Sequence, residues 1–213
     1  SSQSSESGSV ADQTVSDEIS SDNALASSNV APEVAANVAA ESNAIDIQDL
    51  IQAERPYIEQ KIGPQKTSYE NRSEYSFNNC KIDITYENNQ STEVKVTLND
   101  SCTVKTWIVN KTVTITNITT IGELSDKYNA IYYDCIKECG NSYDPEMYFG
   151  LGSSRASNFI YHLIATKTYE LPSELYAIAK PSEPGEIDYT WKEAVYNLSK
   201  SSKVSSVQIG IQI

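Results

Sequence analysis

The sequence is short of the residues that most catalytic and metal sites need. Among its 213 residues there is one histidine, His162. Since histidine dominates zinc sites and acid–base catalysis, a single one excludes the commonest zinc cages and most histidine-centred machinery. No run of about 18 apolar residues occurs, which is the length that a membrane-spanning helix needs. We therefore expect no catalytic residue, no metal site, no cofactor and no transmembrane segment.

Positive charge is also scarce. Sixteen Lys and Arg oppose 29 Asp and Glu, so the net charge is −13 and the isoelectric point is near 4.5. Proteins that bind nucleic acids neutralise phosphates with Lys and Arg, and charge-driven docking on anionic lipid needs the same residues. This composition therefore counts against both kinds of partner.

The first 45 residues lack aromatic and basic residues altogether. They contain 12 Ser, 9 Ala and seven acidic residues, and the first basic and aromatic residues are Arg55 and Tyr57. Such a segment cannot bury enough apolar surface to offset the entropy of ordering its backbone. We predict a disordered, flexible linker over residues 1–45 and one disulfide-containing α+β domain over residues 46–213.

Hydrophobic periodicity predicts an antiparallel sheet in that domain. Apolar and polar residues alternate at 80–86 and 94–98, and the turn-rich residues 87–92 lie between them, which is typical of a β-hairpin. Further strands are predicted at residues 107–109, 112–118, 159–169 and 204–213, and helices at residues 45–62, 120–140 and 188–201. The expected fold class is α+β, an antiparallel β-meander sheet with helices packed on one face, preceded by the disordered tail.

The four cysteines suggest two structural disulfides. A hairpin loop centred near residues 90–92 places Cys80 opposite Cys102, and Cys135 and Cys139 follow one another on the predicted second helix. The alternative for each pair is free thiols. Disulfides persist in oxidising compartments, so this pattern predicts a location in the cell envelope, periplasmic or on the outer surface, or secretion.

The layout of a long Ser-rich tail leading into a compact domain resembles that of mature bacterial lipoproteins. The resemblance covers the tail alone and implies a lipid anchor on a cysteine upstream of Ser1, which would tether the domain to the envelope. A secreted eukaryotic protein is the alternative, since six triplets match the N-glycosylation pattern, beginning at Asn71, Asn89, Asn99, Asn110, Asn117 and Asn197.

Two neighbouring loops are the best candidates for a binding site. Residues 141–146 and 150–158 combine Gly-rich backbone with acidic, aromatic and arginine side chains, and loops on a rigid scaffold tend to hold binding residues. The candidate binding residues are Asp144, Glu146, Tyr148 and Arg155. An ion pair between Arg155 and an acidic residue of the other loop is the competing interpretation. His162 is interpreted as a partly buried, hydrogen-bonded structural residue.

These features favour a non-enzymatic cell-envelope or secreted protein, a tethered module for binding or assembly. The expected partner is a protein or another envelope component. Two alternatives remain open: a structural subunit of a surface polymer, and a small secreted hydrolase that uses paired carboxylates.

Overall fold

The computed structural model describes residues 43–108, 111–128, 131–133, 146–151, 160–178 and 189–211. The chain divides into residues 1–36 and residues 37–213, and every described residue lies in the second unit. The predicted linker therefore lies outside the described residues, except for residues 43–45.

Strands account for more of the described chain than helices do. The strands are β1 (Ile45–Asp46), β2 (Thr67–Ser68), β3 (Arg72–Phe77), β4 (Cys80–Glu87), β5 (Gln90–Thr97), β6 (Thr103–Ile108), β7 (Lys111–Thr116), β8 (Ile131–Tyr133), β9 (Glu146–Leu151), β10 (Ile160–Lys167) and β11 (Ser206–Ile211). The α-helices are α1 (Arg55–Ile62), α2 (Ile121–Tyr128) and α3 (Tyr189–Ser199), and 3₁₀ turns occupy Ile47–Leu50, Thr168–Glu170 and Ser173–Ala177.

Eight of these strands form one large antiparallel sheet. Its order is β2-β3-β4-β5-β11-β10-β9-β8, so the C-terminal strand β11 lies in the middle. One face, the inner face, carries fully buried aliphatic side chains that alternate along each strand, among them Ile82, Ile84, Val94 and Val96. The opposite face, the outer face, carries most of the charged side chains of the sheet. The fold class predicted from the sequence, α+β with an antiparallel sheet, is confirmed.

The two strands that follow β5 in the chain, β6 and β7, do not extend this sheet, which corrects the expected single meander. Instead β6 and β7 pair antiparallel, and β1 joins β6 in parallel, to give a small sheet with the order β1-β6-β7. The buried side chains of β6 and β7 belong to the same hydrophobic core as the inner face of the large sheet. Periodicity identifies a strand but not the sheet that it joins, so the sequence could not separate the two.

Two tight turns at paired asparagines fix the hairpins of the large sheet. Asn78 and Asn79 join β3 to β4, and Asn88 and Asn89 join β4 to β5, all with φ between 49° and 66°. Two-residue hairpin turns of this kind require positive φ at both positions, which asparagine tolerates better than most residues. The predicted loop over residues 87–92 is therefore longer than the two-residue turn in the structure. Strand β3 was not predicted from the sequence.

The first predicted helix, residues 45–62, is present only in its second half, as α1 (Arg55–Ile62). Its start forms β1 and a 3₁₀ turn capped by the Asp46 carboxylate, which accepts from the Asp49 amide at 3.4 Å. Gln52, with φ of 57°, lies between this turn and α1, and Pro56 occupies the first turn of α1, where a proline is tolerated. Gly63 ends α1 at a φ of 90°, as the sequence predicts.

The second predicted helix begins where expected and ends early. The Thr120 amide donates to Glu123 Oε2 at 3.0 Å, and the Glu123 amide donates to Thr120 Oγ1 at 3.2 Å, which is the predicted capping box. Helix α2 stops at Tyr128, and residues 131–133 form β8 instead of continuing it. The predicted third helix and the strands at 159–169 and 204–213 are present as α3, β10 and β11. No described helix is long and apolar enough to span a bilayer.

Candidate functional site

The disulfide between Cys80 and Cys102 is present and buried. The two Cα atoms lie 5.4 Å apart, and both residues are at most 2% exposed. The pairing prediction is confirmed, but the register behind it is wrong: Ile82 pairs with Val96 and Ile84 with Val94, so Cys102 is not opposite Cys80 in the hairpin.

A turn after β5 brings Cys102 back to Cys80. The Asn99 side chain accepts from the Ser101 amide at 3.0 Å, and the Cys102 amide donates to the Asn99 carbonyl at 3.1 Å. Cys80 opens β4 of the large sheet, and Cys102 immediately precedes β6 of the small sheet. The bond therefore links the two sheets at one end of the core. Cys135 and Cys139 lie outside the described residues, so their pairing stays a prediction.

Of the four candidate binding residues, the structure describes Glu146 and Tyr148. Both lie on β9 and face the outer side of the large sheet, and the Tyr148 hydroxyl donates to Glu146 Oε2 at 2.9 Å. Asp144 and Arg155 lie outside the described residues. The predicted arginine pair is therefore not described, but Glu146 does have a cationic partner from elsewhere in the chain.

That partner is Lys95, which the sequence gives no reason to select. Its Nζ lies 2.8 Å from Glu146 Oε2, although it belongs to β5 and is separated from β9 by two strands. The intervening strands carry the small side chains of Ser206 and Ala165, which leave room for the long side chains to meet above them. The side chains of Lys95 and Glu146 are only 18% and 8% exposed, so the pair is largely removed from water.

A second polar group continues the outer face beside this ion pair. The Tyr161 hydroxyl donates to Glu93 Oε2 and accepts from Gln208 Nε2, both at 3.4 Å. Partial burial raises the pKa of Tyr161. The Tyr161 ring lies over Gly210, where an added Cβ would approach the ring to 2.2 Å, so this position requires glycine.

We call Glu93, Lys95, Glu146, Tyr148, Tyr161 and Gln208 the polar tray. It combines one cation, two carboxylates, an amide and two phenols on a rigid antiparallel scaffold. Such groups can exchange hydrogen bonds with a polar partner, and tyrosine adds apolar contact area at small entropic cost. The hydrogen bonds between different strands that bring them together span 47 to 68 residues of sequence.

Farther along the outer face, a network of four charges contains two neighbouring carboxylates. Glu74 and Asp83 are directly opposite one another on β3 and β4, and Lys81 Nζ lies 3.6 Å and 3.8 Å from their carboxylates. Arg72 bonds Asp83 at 2.8 Å. Burial and pairing with Asp83 shift the pKa of Arg72 in opposite directions, and the hydrogen bond prevails and raises it.

His162 connects the inner face of the large sheet to the small sheet. Its Nε2 lies 3.0 Å from the Thr106 hydroxyl on β6, and burial lowers its pKa to about 4. The prediction of a partly buried, hydrogen-bonded histidine is confirmed.

The hydrogen bonds around Thr106 fix the tautomer of His162. Gln48 Oε1 accepts from the Trp107 amide at 2.9 Å, which identifies this atom as the amide oxygen, and it also accepts from the Thr106 hydroxyl at 3.2 Å. Because Thr106 has one proton and donates it to Gln48, its oxygen must accept from His162. Neutral His162 therefore carries its proton on Nε2, and further protonation at Nδ1 would place a charge in the core.

Comparisons of the chain with protein-family models, curated proteins and solved structures found no match. Within the described ranges, no group of three or more His, Cys, Asp or Glu side chains is arranged to hold a metal ion. The polar tray, described by geometry alone, is therefore the candidate site.

Proposed function

We propose that the protein is a non-enzymatic module for binding or assembly in an extracytoplasmic compartment, tethered in the cell envelope or secreted. The observation that carries this proposal is the buried Cys80–Cys102 disulfide between the two sheets. Disulfides with a structural role persist in oxidising compartments and are rare in the cytosol. The tethered, lipoprotein-like form rests in addition on the composition of residues 1–45.

The polar tray is the proposed contact surface for a protein or another envelope component. Its base is rigid because Lys95, Glu146 and Tyr148 already hold one another, so little side-chain entropy remains to be lost on binding. Residues 134–145 and 152–159 flank β9 in sequence, and Asp144 and Arg155 within them remain the proposed additions to the site. Tyr148 is the aromatic member on β9 and the best single position to test.

A binding assay with isolated envelopes of the producing cell tests the contact surface. Fluorescently labelled full chain is titrated with the envelopes, and Tyr148→Ala and Arg155→Ala are each expected to weaken binding several-fold while unfolding stays cooperative. Tyr69→Ala is the matched control, because Tyr69 is 62% exposed and lies outside the tray. Equal affinity of the wild-type, Tyr148→Ala and Arg155→Ala chains would contradict the proposed surface.

One observation supports the hydrolase alternative, namely the neighbouring carboxylates of Glu74 and Asp83. Paired carboxylates at short separation are what glycoside hydrolysis uses, but here both are ion-paired on a sheet surface. A screen of glycosidase, esterase and peptidase substrates should therefore find no turnover above background. Turnover abolished by Asp83→Asn or by His162→Ala, with folding intact, would establish an enzyme and overturn the proposal.

A further inference from the structure

Strand β7 is an exposed sheet edge of a kind that the rest of the described fold avoids. The other terminal strands of the two sheets, β1, β2 and β8, are two, two and three residues long. By contrast, β7 has six residues, and no described strand lies beyond it. A long edge strand presents unpaired amide and carbonyl groups that can pair with a strand from another chain, and proteins usually block it.

Blocking features occur only at the two ends of β7. Lys111 is its first residue, and at its last residue the Thr116 amide donates to Thr119 Oγ1 at 2.9 Å while the Thr116 carbonyl accepts from the Thr119 amide at 3.1 Å. The strand Lys-Thr-Val-Thr-Ile-Thr contains no proline, its backbone shows no bulge against β6, and its one charge is at the first residue. Thr112 and Thr114 are exposed, whereas Val113 and Ile115 are buried. The strand is thus β-prone, alternating and uncharged over its last five residues.

The charge around this edge also differs from that of the whole chain. Residues 101–122 contain two lysines and no acidic residue, although the net charge of the chain is −13. Two copies of an acidic protein repel each other least where neither carries negative charge. Negative charge begins just past the end of the strand, where Asp100 accepts from Asn117 Nδ2 at 2.7 Å. The part of the edge from Thr112 to Thr114 is therefore where close approach of two copies costs least electrostatic energy.

We infer that β7 pairs antiparallel with β7 of a second copy to join the two small sheets into one of six strands. A two-fold axis through position 113 pairs Thr112 with Thr114 of the other copy and does not use Thr116, whose backbone groups are already bonded to Thr119. Residues opposite one another then share parity, so Val113 and Ile115 stay on the core side and the threonines on the outer side. In this register the two Lys111 residues lie about 13 Å apart along the strands, beyond the screening length of physiological salt. This inference goes beyond the proposed function and does not depend on the polar tray.

Sedimentation of the full chain tests the inference. The wild-type chain is expected to form a discrete dimer that tightens as NaCl is raised from about 0.05 to about 0.5 M, since screening reduces repulsion between two acidic bodies. Thr114→Lys and Thr114→Glu, each alone, place like charges diagonal to each other and should weaken the dimer about fivefold. An equimolar mixture of the two variants should restore the dimer, because opposite charges are then diagonal to each other.

The matched control is Thr103→Lys, which adds the same charge to the same face of β6, one strand from the edge. It should leave the dimer unchanged. If Thr114→Lys does not fold, the pair Thr112→Lys and Thr112→Glu is used in the same way. A wild-type monomer at all concentrations, open-ended polymers, equal weakening by Thr103→Lys, unweakened single variants or a mixture that fails to restore the dimer would each overturn the inference.

Discussion

The two sheets share one core but present different surfaces. The large sheet has short edges, and its outer face is covered with ion pairs and hydrogen-bonded tyrosines. The small sheet has an open edge and a surface of threonines, Trp107 and lysines without acidic residues between 101 and 122. The difference indicates a division of roles, in which the large sheet offers a preformed polar surface and the small sheet offers backbone pairing.

Two polar or covalent links hold the sheets together across that core. The disulfide joins β4 to the residue before β6, and His162 on β10 bonds Thr106 on β6. The disulfide is buried and the His162 bond is partly buried, and the first depends on reductant and the second on pH. Each link can therefore be removed separately, without a change to the charged pairs of the outer face or to the linker.

Loss of the disulfide is expected to have the largest effect. Cys80→Ala with Cys102→Ala opens a loop with a sequence separation of 22 and should lower the free energy of unfolding by about 3 kcal/mol. Denaturant unfolding measures this. The pair Cys135→Ala and Cys139→Ala is the control and should cost less, because the predicted loop is shorter. A double variant of Cys80 and Cys102 as stable as the wild type would show that the bond does not stabilise the fold.

Acid should weaken the link through His162. The pKa of His162 is lowered from its usual value near 6.5 to about 4, so between these values the unfolded chain binds a proton that the folded chain does not. The contribution of His162 to the free energy of unfolding is therefore fully present above pH 6.5. It is lost as the pH drops towards 4, by at most about 3 kcal/mol.

Since the chain has one histidine, His162→Gln isolates this contribution. Glutamine retains a donor for Thr106 but does not titrate, so the variant should lose less stability than the wild type between pH 6.5 and 4. Denaturant unfolding at each pH gives the difference. Identical pH profiles for the two chains would contradict a buried, neutral histidine.

Removal of one lysine at a time compares the two ion pairs of the outer face. Lys95→Met leaves the largely buried Glu146 carboxylate without its cation and should cost about 2 kcal/mol. Lys81→Met removes a lysine whose side chain is 50% exposed and should cost less than about 1 kcal/mol. Unfolding of both variants in urea measures the two losses of stability and shows which is larger. Equal losses would mean that Lys95 and Glu146 are as well solvated as the surface pair.

Deleting residues 1–42 of the predicted linker should have the smallest effect. Removal of residues 1–42 is expected to change the free energy of unfolding by no more than about 0.5 kcal/mol, because this segment has no aromatic residue. The matched deletion of residues 1–46 also removes β1, including Ile45, which is 3% exposed, and should destabilise clearly. Thermal unfolding of both chains distinguishes them, and a large loss from the shorter deletion would show that the linker packs on the domain.

Local signals in the sequence predicted local structure well. The alternation in β4, β5 and β11 and the capping box at Thr120 each depend on residues a few positions apart, and all are present. The first predicted helix is present only from Arg55 onward, because proline is tolerated in the first turn of a helix but not in its interior. The apolar residues before it belong to a strand and a 3₁₀ turn.

The same local signals could not predict contacts between residues that are far apart in the sequence. The Cys80–Cys102 bond was found although the register was wrong, because both cysteines do lie near the open end of the same hairpin. By contrast, no sequence pattern joins Lys95 to Glu146, which meet only because two strands inserted between them carry small residues at that level. The paired asparagines at 78–79 and 88–89 were a readable signal for both hairpin turns and would have given the correct register.

The redox state of Cys80 and Cys102 in the cell that makes the protein tests the central claim most directly. The protein is acid-quenched, alkylated without reductant, digested and analysed by mass spectrometry. An extracytoplasmic module predicts one disulfide-linked peptide pair that contains Cys80 and Cys102 and no alkylation at either residue. Alkylated Cys80 and Cys102, or a crossed pairing with Cys135 or Cys139, would contradict the account.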